Sequence, residues 1–164
     1  MDGAKSVSTP MSSSMPLVVH DGKPVVDATG FRRLVGLLPY LSVTRPDIAY
    51  VVNSISQHMH LSKEHHWVVI KRLLRYLKGT IFHSLLLRGC SGLSLTAFSD
   101  SDWGGNRDDD RSTTGFVIYL GPNVISWKSV RQKTVSRSST EAVYRALASS
   151  TAETIWVRIE KSII

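Results

Sequence analysis

A single cysteine, Cys90, in 164 residues leaves no partner for an internal disulfide, and no Cys-x-x-Cys pair is present to hold zinc or run thiol redox chemistry. A disulfide scaffold and a thiolate metal centre are excluded, and a reducing compartment is the natural setting. Long apolar stretches are missing too. Runs such as Leu85-Leu86-Leu87 fall far short of the ~20 residues that cross a bilayer. The N-terminus has no basic segment followed by an apolar one, the layout of a secretory signal. The expectation is an intracellular chain, cytoplasmic or nuclear, with no membrane partner.

What is present is enough apolar residue, 42%, to build a core, and an excess of cations, 20 Lys and Arg against 13 Asp and Glu. A formal charge of +7 favours polyanionic partners without locating a site for them. Residues 1–30 are rich in serine and proline and read as an extended linker or arm. From Phe31 the residues Leu34, Val35, Leu37, Leu38 and Leu41 recur at helical spacing, but Pro39 lies among them and predicts a kink or an early stop. Pro46 and Asp47 suit a helix start, followed by the stripe Ile48, Val51, Val52, Ile55 and Met59. Ser62 can cap a third helix running through Lys78 to a stop at Gly79, with Trp67, Ile70, Leu73, Leu74 and Leu77 on one side. Residues 31–79 thus read as all-helical, within an N-terminal helical segment taken to span 31–88.

After Gly79 the period shortens. Leu93 to Phe98 alternates like a half-buried strand, Thr114 to Leu120 is a second, and Val124 to Trp127 is a third beyond the turn residues Gly121-Pro122-Asn123. The last two should form a hairpin. A final helix begins near Ser139. The fold class is α+β: an N-terminal helical segment, then three antiparallel strands and a helix over 93–164.

The strand that ends at Phe98 runs into Ser99-Asp100-Ser101-Asp102-Trp103, and Ser138-Ser139-Thr140-Glu141 opens the last helix. An acid at a strand end and another at a helix start are parts from which a Mg²⁺ site can be made, since that ion takes hard oxygen ligands. The same residues have plainer uses. Ser138-x-x-Glu141 is also a capping box, and Asp100 and Asp102 are also turn formers. Two cationic groups, Lys71, Arg72, Arg75 and Lys78 on the third helix and Lys128, Arg131, Lys133 and Arg137 ahead of the last, could contact phosphates or could simply be solvated. His58, His60, His65 and His66 crowd a helix junction but lack the ligand spacing of a zinc site. Cys90 has no base motif beside it.

Several stretches together carry a resemblance. Phe31-Arg32-Arg33-Leu34-Val35-Gly36, Thr44-Arg45-Pro46-Asp47-Ile48-Ala49-Tyr50, Lys71 to Thr80, Ala97-Phe98-Ser99-Asp100-Ser101-Asp102-Trp103-Gly104, Arg111 to Gly115, Ile125-Ser126-Trp127 and Ser136 to Ala142 resemble, in order and spacing, the C-terminal part of copia-type LTR retrotransposon polyproteins. The resemblance implies that 31–88 is the end of the reverse transcriptase and its connection, and that 93–164 is a truncated ribonuclease H-like domain. It further implies that Asp100 and Glu141 are catalytic carboxylates binding Mg²⁺, with Asp102 a further ligand and an RNA–DNA hybrid the substrate. The polymerase aspartates lie upstream in the family, and no Tyr-x-Asp-Asp occurs here. A third catalytic aspartate is expected beyond Ile164, so weak metal binding and no turnover are anticipated. The alternatives are a non-catalytic basic nucleic-acid-binding remnant and an inert product.

Overall fold

The computed structural model describes residues 3–12, 17–18, 22–89 and 94–161. They form two compact units, Met1–Ser84 and Leu85–Ile164.

The first unit is helical: α1 (Ala28–Ser42), a 3₁₀ turn (Pro46–Ile48), α2 (Ala49–Ser56) and α3 (Glu64–Gly79). Asp27 starts α1, its Oδ1 accepting from the amide of Gly30 at 2.8 Å. Phe31, Val35 and Leu38 of α1 meet Ile48, Val51, Val52 and Ile55, and Val69, Ile70, Leu73 and Tyr76 of α3, in one buried core. The helix does not stop at Pro39 but continues to Ser42. Pro39 lies on the exposed side of the last turn, while Leu38 beside it is buried and holds the segment to the core. What the proline removes is one amide donor, for the carbonyl of Val35. Pro39→Ala is therefore expected to stabilise this unit by about 1 kcal/mol, the restored helical bond outweighing the freer unfolded chain, and to raise the urea midpoint accordingly.

The start of α3 also departs from expectation. Lys63, not Ser62, is the N-cap, and the ring of His66 accepts from the Lys63 amide at 3.0 Å in the role usually taken by glutamate. Gly79 is the last helical residue rather than the stop. Residues of the expected arm lie against this unit: Val7, Met11, Leu17 and Val25 pack on the core, and Pro24 bridges to Lys63.

In the second unit β1 (Leu95–Asp102), β2 (Thr113–Leu120) and β3 (Asn123–Arg131) form an antiparallel sheet of order β1-β2-β3, followed by α4 (Ser139–Lys161). Leu93, assigned from the sequence to the first strand, and Cys90 lie outside the described residues. The β2–β3 hairpin turns at Gly121, whose φ of +56° favours glycine, and Ile125 is the extra residue of a bulge opposite Ile118 and Tyr119. The third strand runs on to Arg131, so Lys128 and Arg131 are strand residues rather than loop residues. Thr114, Phe116 and Ile118 of β2 are buried on the face that α4 covers. Ala142, Ala146 and Ser150 of α4, spaced by four, are buried, and their small side chains bring the helix close to the sheet. Val143, Tyr144, Leu147, Ile155 and Trp156 of the same helix are exposed.

Candidate functional site

Register decides where the strand acids face. Ser99 pairs with Phe116 and Ser101 with Thr114, so both serines lie on the α4 side, and alternation puts Phe98, Asp100 and Asp102 on the other face. On that face the Phe98 ring meets Tyr119 edge-on with centroids 6.1 Å apart. Asp100 is exposed, and its Oδ1 accepts from the following amide of Ser101 at 2.8 Å. Asp102 is half-buried and accepts from the amide of its cross-strand partner Thr113. Burial pushes the Asp102 carboxyl above its ordinary value, the Thr113 hydrogen bonds pull against that, and the negative charge of Asp100 adds to the rise.

Glu141 sits in the first turn of α4. Its amide donates to Ser138 Oγ at 3.2 Å while its Oε2 accepts from the Arg137 amide at 2.8 Å, a reciprocal cap. Its Oε1 accepts from Arg145 Nη2 at 2.6 Å. The Arg137 amide first, then the charges of Arg145 and Arg137, hold this carboxyl below its ordinary value.

The strand end and the helix start are tied by Gln132. This buried amide donates from Nε2 to Ser101 Oγ at 3.2 Å, Thr114 Oγ1 at 3.1 Å and the Ala142 carbonyl at 3.0 Å, and its Oε1 accepts from Ser136 Oγ at 2.8 Å. The residue after Asp100 and the residue after Glu141 thus share one nitrogen. The two acids belong to the same end of the sheet but, by alternation, Asp100 is on the face away from α4. Trp103 adds a second tie, its indole N–H donating to the Ser136 carbonyl at 3.0 Å. Among the described residues, no group of three or more His, Cys, Asp or Glu is placed to hold a metal ion.

The cationic groups have different surroundings. Arg72 donates to Thr9 Oγ1 at 2.7 Å, Arg75 to the Lys5 carbonyl at 2.6 Å and Lys78 to the Ala4 carbonyl at 3.3 Å, while Lys71 is exposed. In the second unit Arg131 pairs with Asp109 at 3.2 Å, as does Arg111. Lys128 is in register with Phe116 on the α4 side and Arg131 with Thr113 on the other, so β3 divides them between faces. Lys133 and Arg137 are exposed on the segment leading into α4.

Among the described histidines His58 and His66 are buried, His65 is half-buried, and His60 and His83 are exposed. The rings of His58 and His66, both buried, stack at 4.3 Å, His65 meets His66 at 4.1 Å, and His65 Nε2 lies 3.0 Å from the Val18 carbonyl. Sequence reasoning missed Gln132 altogether. It also missed the knot in which Arg45 grips Asp47 through Nε at 2.9 Å and Nη2 at 2.8 Å, reaches the Thr80 carbonyl at 3.0 Å, and shares Asp47 with the Tyr76 hydroxyl at 2.7 Å. The adjoining Arg-Pro-Asp was the available signal, but its partners lie some 30 residues on.

Comparison with known proteins supplies the class: the chain belongs to the Pol polyproteins of retroelements, and within them to those of copia-type transposons. Over 154 residues, 94% of the chain, it is 49% identical to the retrovirus-related Pol polyprotein from transposon RE2 of Arabidopsis thaliana, of which it covers 11%. It is 35% identical over 165 residues, 96% of the chain, to that from transposon TNT 1-94 of Nicotiana tabacum, covering 12%. A secreted RxLR effector protein of Plasmopara viticola, number 161, is 40% identical over 126 residues, 76% of this chain and 89% of that protein. The chain spans about a tenth of the length of the polyproteins it matches. No family model matches, and no solved structure matches.

Proposed function

We propose that this chain is the piece of a copia-type Pol polyprotein in which the end of the reverse transcriptase region passes into a ribonuclease H-like domain. In this reading it meets nucleic acid through its cations, without turning over an RNA–DNA hybrid by itself. The observation that carries the ribonuclease H relationship is the Gln132 tie, which joins an acid-bearing strand end to an acid-bearing helix start at one end of a three-stranded antiparallel sheet. Magnesium is the ion class such carboxylates would take, and bound there it would supply charge stabilisation to phosphodiester hydrolysis.

As arranged, the acids do not fit a two-ion site. Glu141 is held by the Arg137 amide and Arg145, Asp102 by the Thr113 amide, and Asp100 lies on the face opposite α4. Bringing them together requires breaking a helix cap and an ion pair, which opposes binding. The purified chain incubated with a labelled RNA–DNA hybrid and millimolar Mg²⁺ is expected to give no product above a buffer control. Cleavage that disappears in Asp100→Asn would overturn this reading and make Asp100 a catalytic residue of this chain.

A further inference from the structure

Three of the four α3 cations that could meet phosphates, Arg72, Arg75 and Lys78, are already engaged by the chain's own N-terminal segment. Residues 4–9 run antiparallel to α3: Ala4 accepts from Lys78, Lys5 from Arg75 and Thr9 from Arg72. We propose that this segment is a displaceable strap that competes with the phosphodiester backbone of a nucleic acid for the α3 row. The inference rests on the nucleic-acid reading above and adds its regulation.

Three features support a competitor rather than a permanent strand of the fold. The oxygens offered to Arg72 and Arg75 are neutral, a hydroxyl and a backbone carbonyl, and among the described residues no ion pair uses either arginine. Arg72 Nε is buried without a hydrogen-bond partner, so the strap leaves a cationic donor unmet that a phosphate oxygen could satisfy. The strap also carries Lys5, a further cation set against an already positive row. Its hold is modest: half-buried Val7 packs on the core, and Ser6 sits against Gly79 so closely that an added Cβ there would be 2.8 Å from Ser6 Cβ. Exchanging neutral oxygens for anionic ones strengthens each bond, and released counterions add to the gain.

Gly79 gives a way to lift the strap without touching a cation. Gly79→Ala, at the last residue of α3, crowds Ser6 while favouring the helix. A disulfide between Ser6→Cys and Gly79→Cys, with Cys90→Ser, would pin it once the two backbones part from the 2.8 Å Cβ separation to the ~3.8 Å that a disulfide spans. Binding of the full-length chain to a fluorescent oligo-dT is measured by anisotropy across a salt series, with circular dichroism confirming the fold of each variant. Gly79→Ala is expected to bind about fivefold or more tightly and to steepen the salt dependence by about 2 in slope, near 0.7 for each phosphate gained. The oxidised pair should bind most weakly and recover on reduction, and Arg72→Ala/Arg75→Ala should erase the Gly79→Ala gain. If strap variants match wild type while Arg75→Ala weakens binding, the strap is refuted and the nucleic-acid reading stands. Absence of binding by every variant at low salt would overturn both.

Discussion

Replacing Arg45 with alanine is expected to lower the stability of the helical unit by about 2 to 3 kcal/mol, below the ~3–5 kcal/mol that breaking a buried ion pair costs because Asp47 keeps partial access to water. Arg45 donates to both oxygens of Asp47 and to the carbonyl and hydroxyl of Thr80 just past the end of α3, and its guanidinium lies 5.8 Å from the centre of the Tyr76 ring. The truncation frees the Thr80 carbonyl from its donor and leaves Asp47 with the Tyr76 hydroxyl alone of these two side chains. Urea melts followed by helical circular dichroism measure the loss. A drop under 0.5 kcal/mol would show the knot to be ornamental, the usual value of an exposed pair.

The same knot sets a pH signature. The Asp47 carboxyl is held below its ordinary value, chiefly by the Arg45 hydrogen bond and then by Tyr76, with burial opposing. A depressed carboxyl contributes stability that is complete above its unfolded value, near ~4, and is lost as pH falls through its folded value. The helical unit should therefore weaken as pH falls below about 4. In Arg45→Ala that acid-side decline is expected to shrink, because the largest cause of the depression is gone.

Gln132→Ala is the second large effect, about 2 to 3 kcal/mol on the sheet unit. Two amide hydrogens serve three acceptors, and their removal leaves the Ala142 carbonyl and Ser136 hydroxyl buried near a hole. Gln132→Glu should do no better at neutral pH, since a carboxylate cannot donate to the Ala142 carbonyl. Hydrogen exchange locates the damage: amides in the first turn of α4 and at the end of β1 should lose protection before those in the middle of β2. Uniform loss across the sheet would mean that Gln132 acts as core filling rather than as a tie between strand and helix.

Much of this was legible from local pattern. The alternation of β2, the hairpin turn and the stripe of Ile48, Val51, Val52 and Ile55 follow from residue spacing, because burial on one face imposes the period. Asp100, Asp102 and Glu141 were found because a strand end and a capped helix start are local motifs. What escaped was non-local. Gln132 reaches 31 residues back to Ser101, and Arg45 reaches 35 residues forward to Thr80, and no period or cap announces such partners. Pro39 misled because propensity alone ignores the burial of Leu38 beside it, and the strap on α3 was invisible because backbone carbonyls carry no sequence signal.

Within its sheet β1 is a border strand, with Asp100 and Asp102 near its end. Such a border is a template on which another copy could add. Were two β1 strands to align parallel and in register, their aspartates would meet like charges, a guard against that mode of self-association quite apart from any metal. Neutralising Asp100 to probe hydrolysis removes part of that guard, and the variant's dispersity in light scattering becomes as informative as its activity.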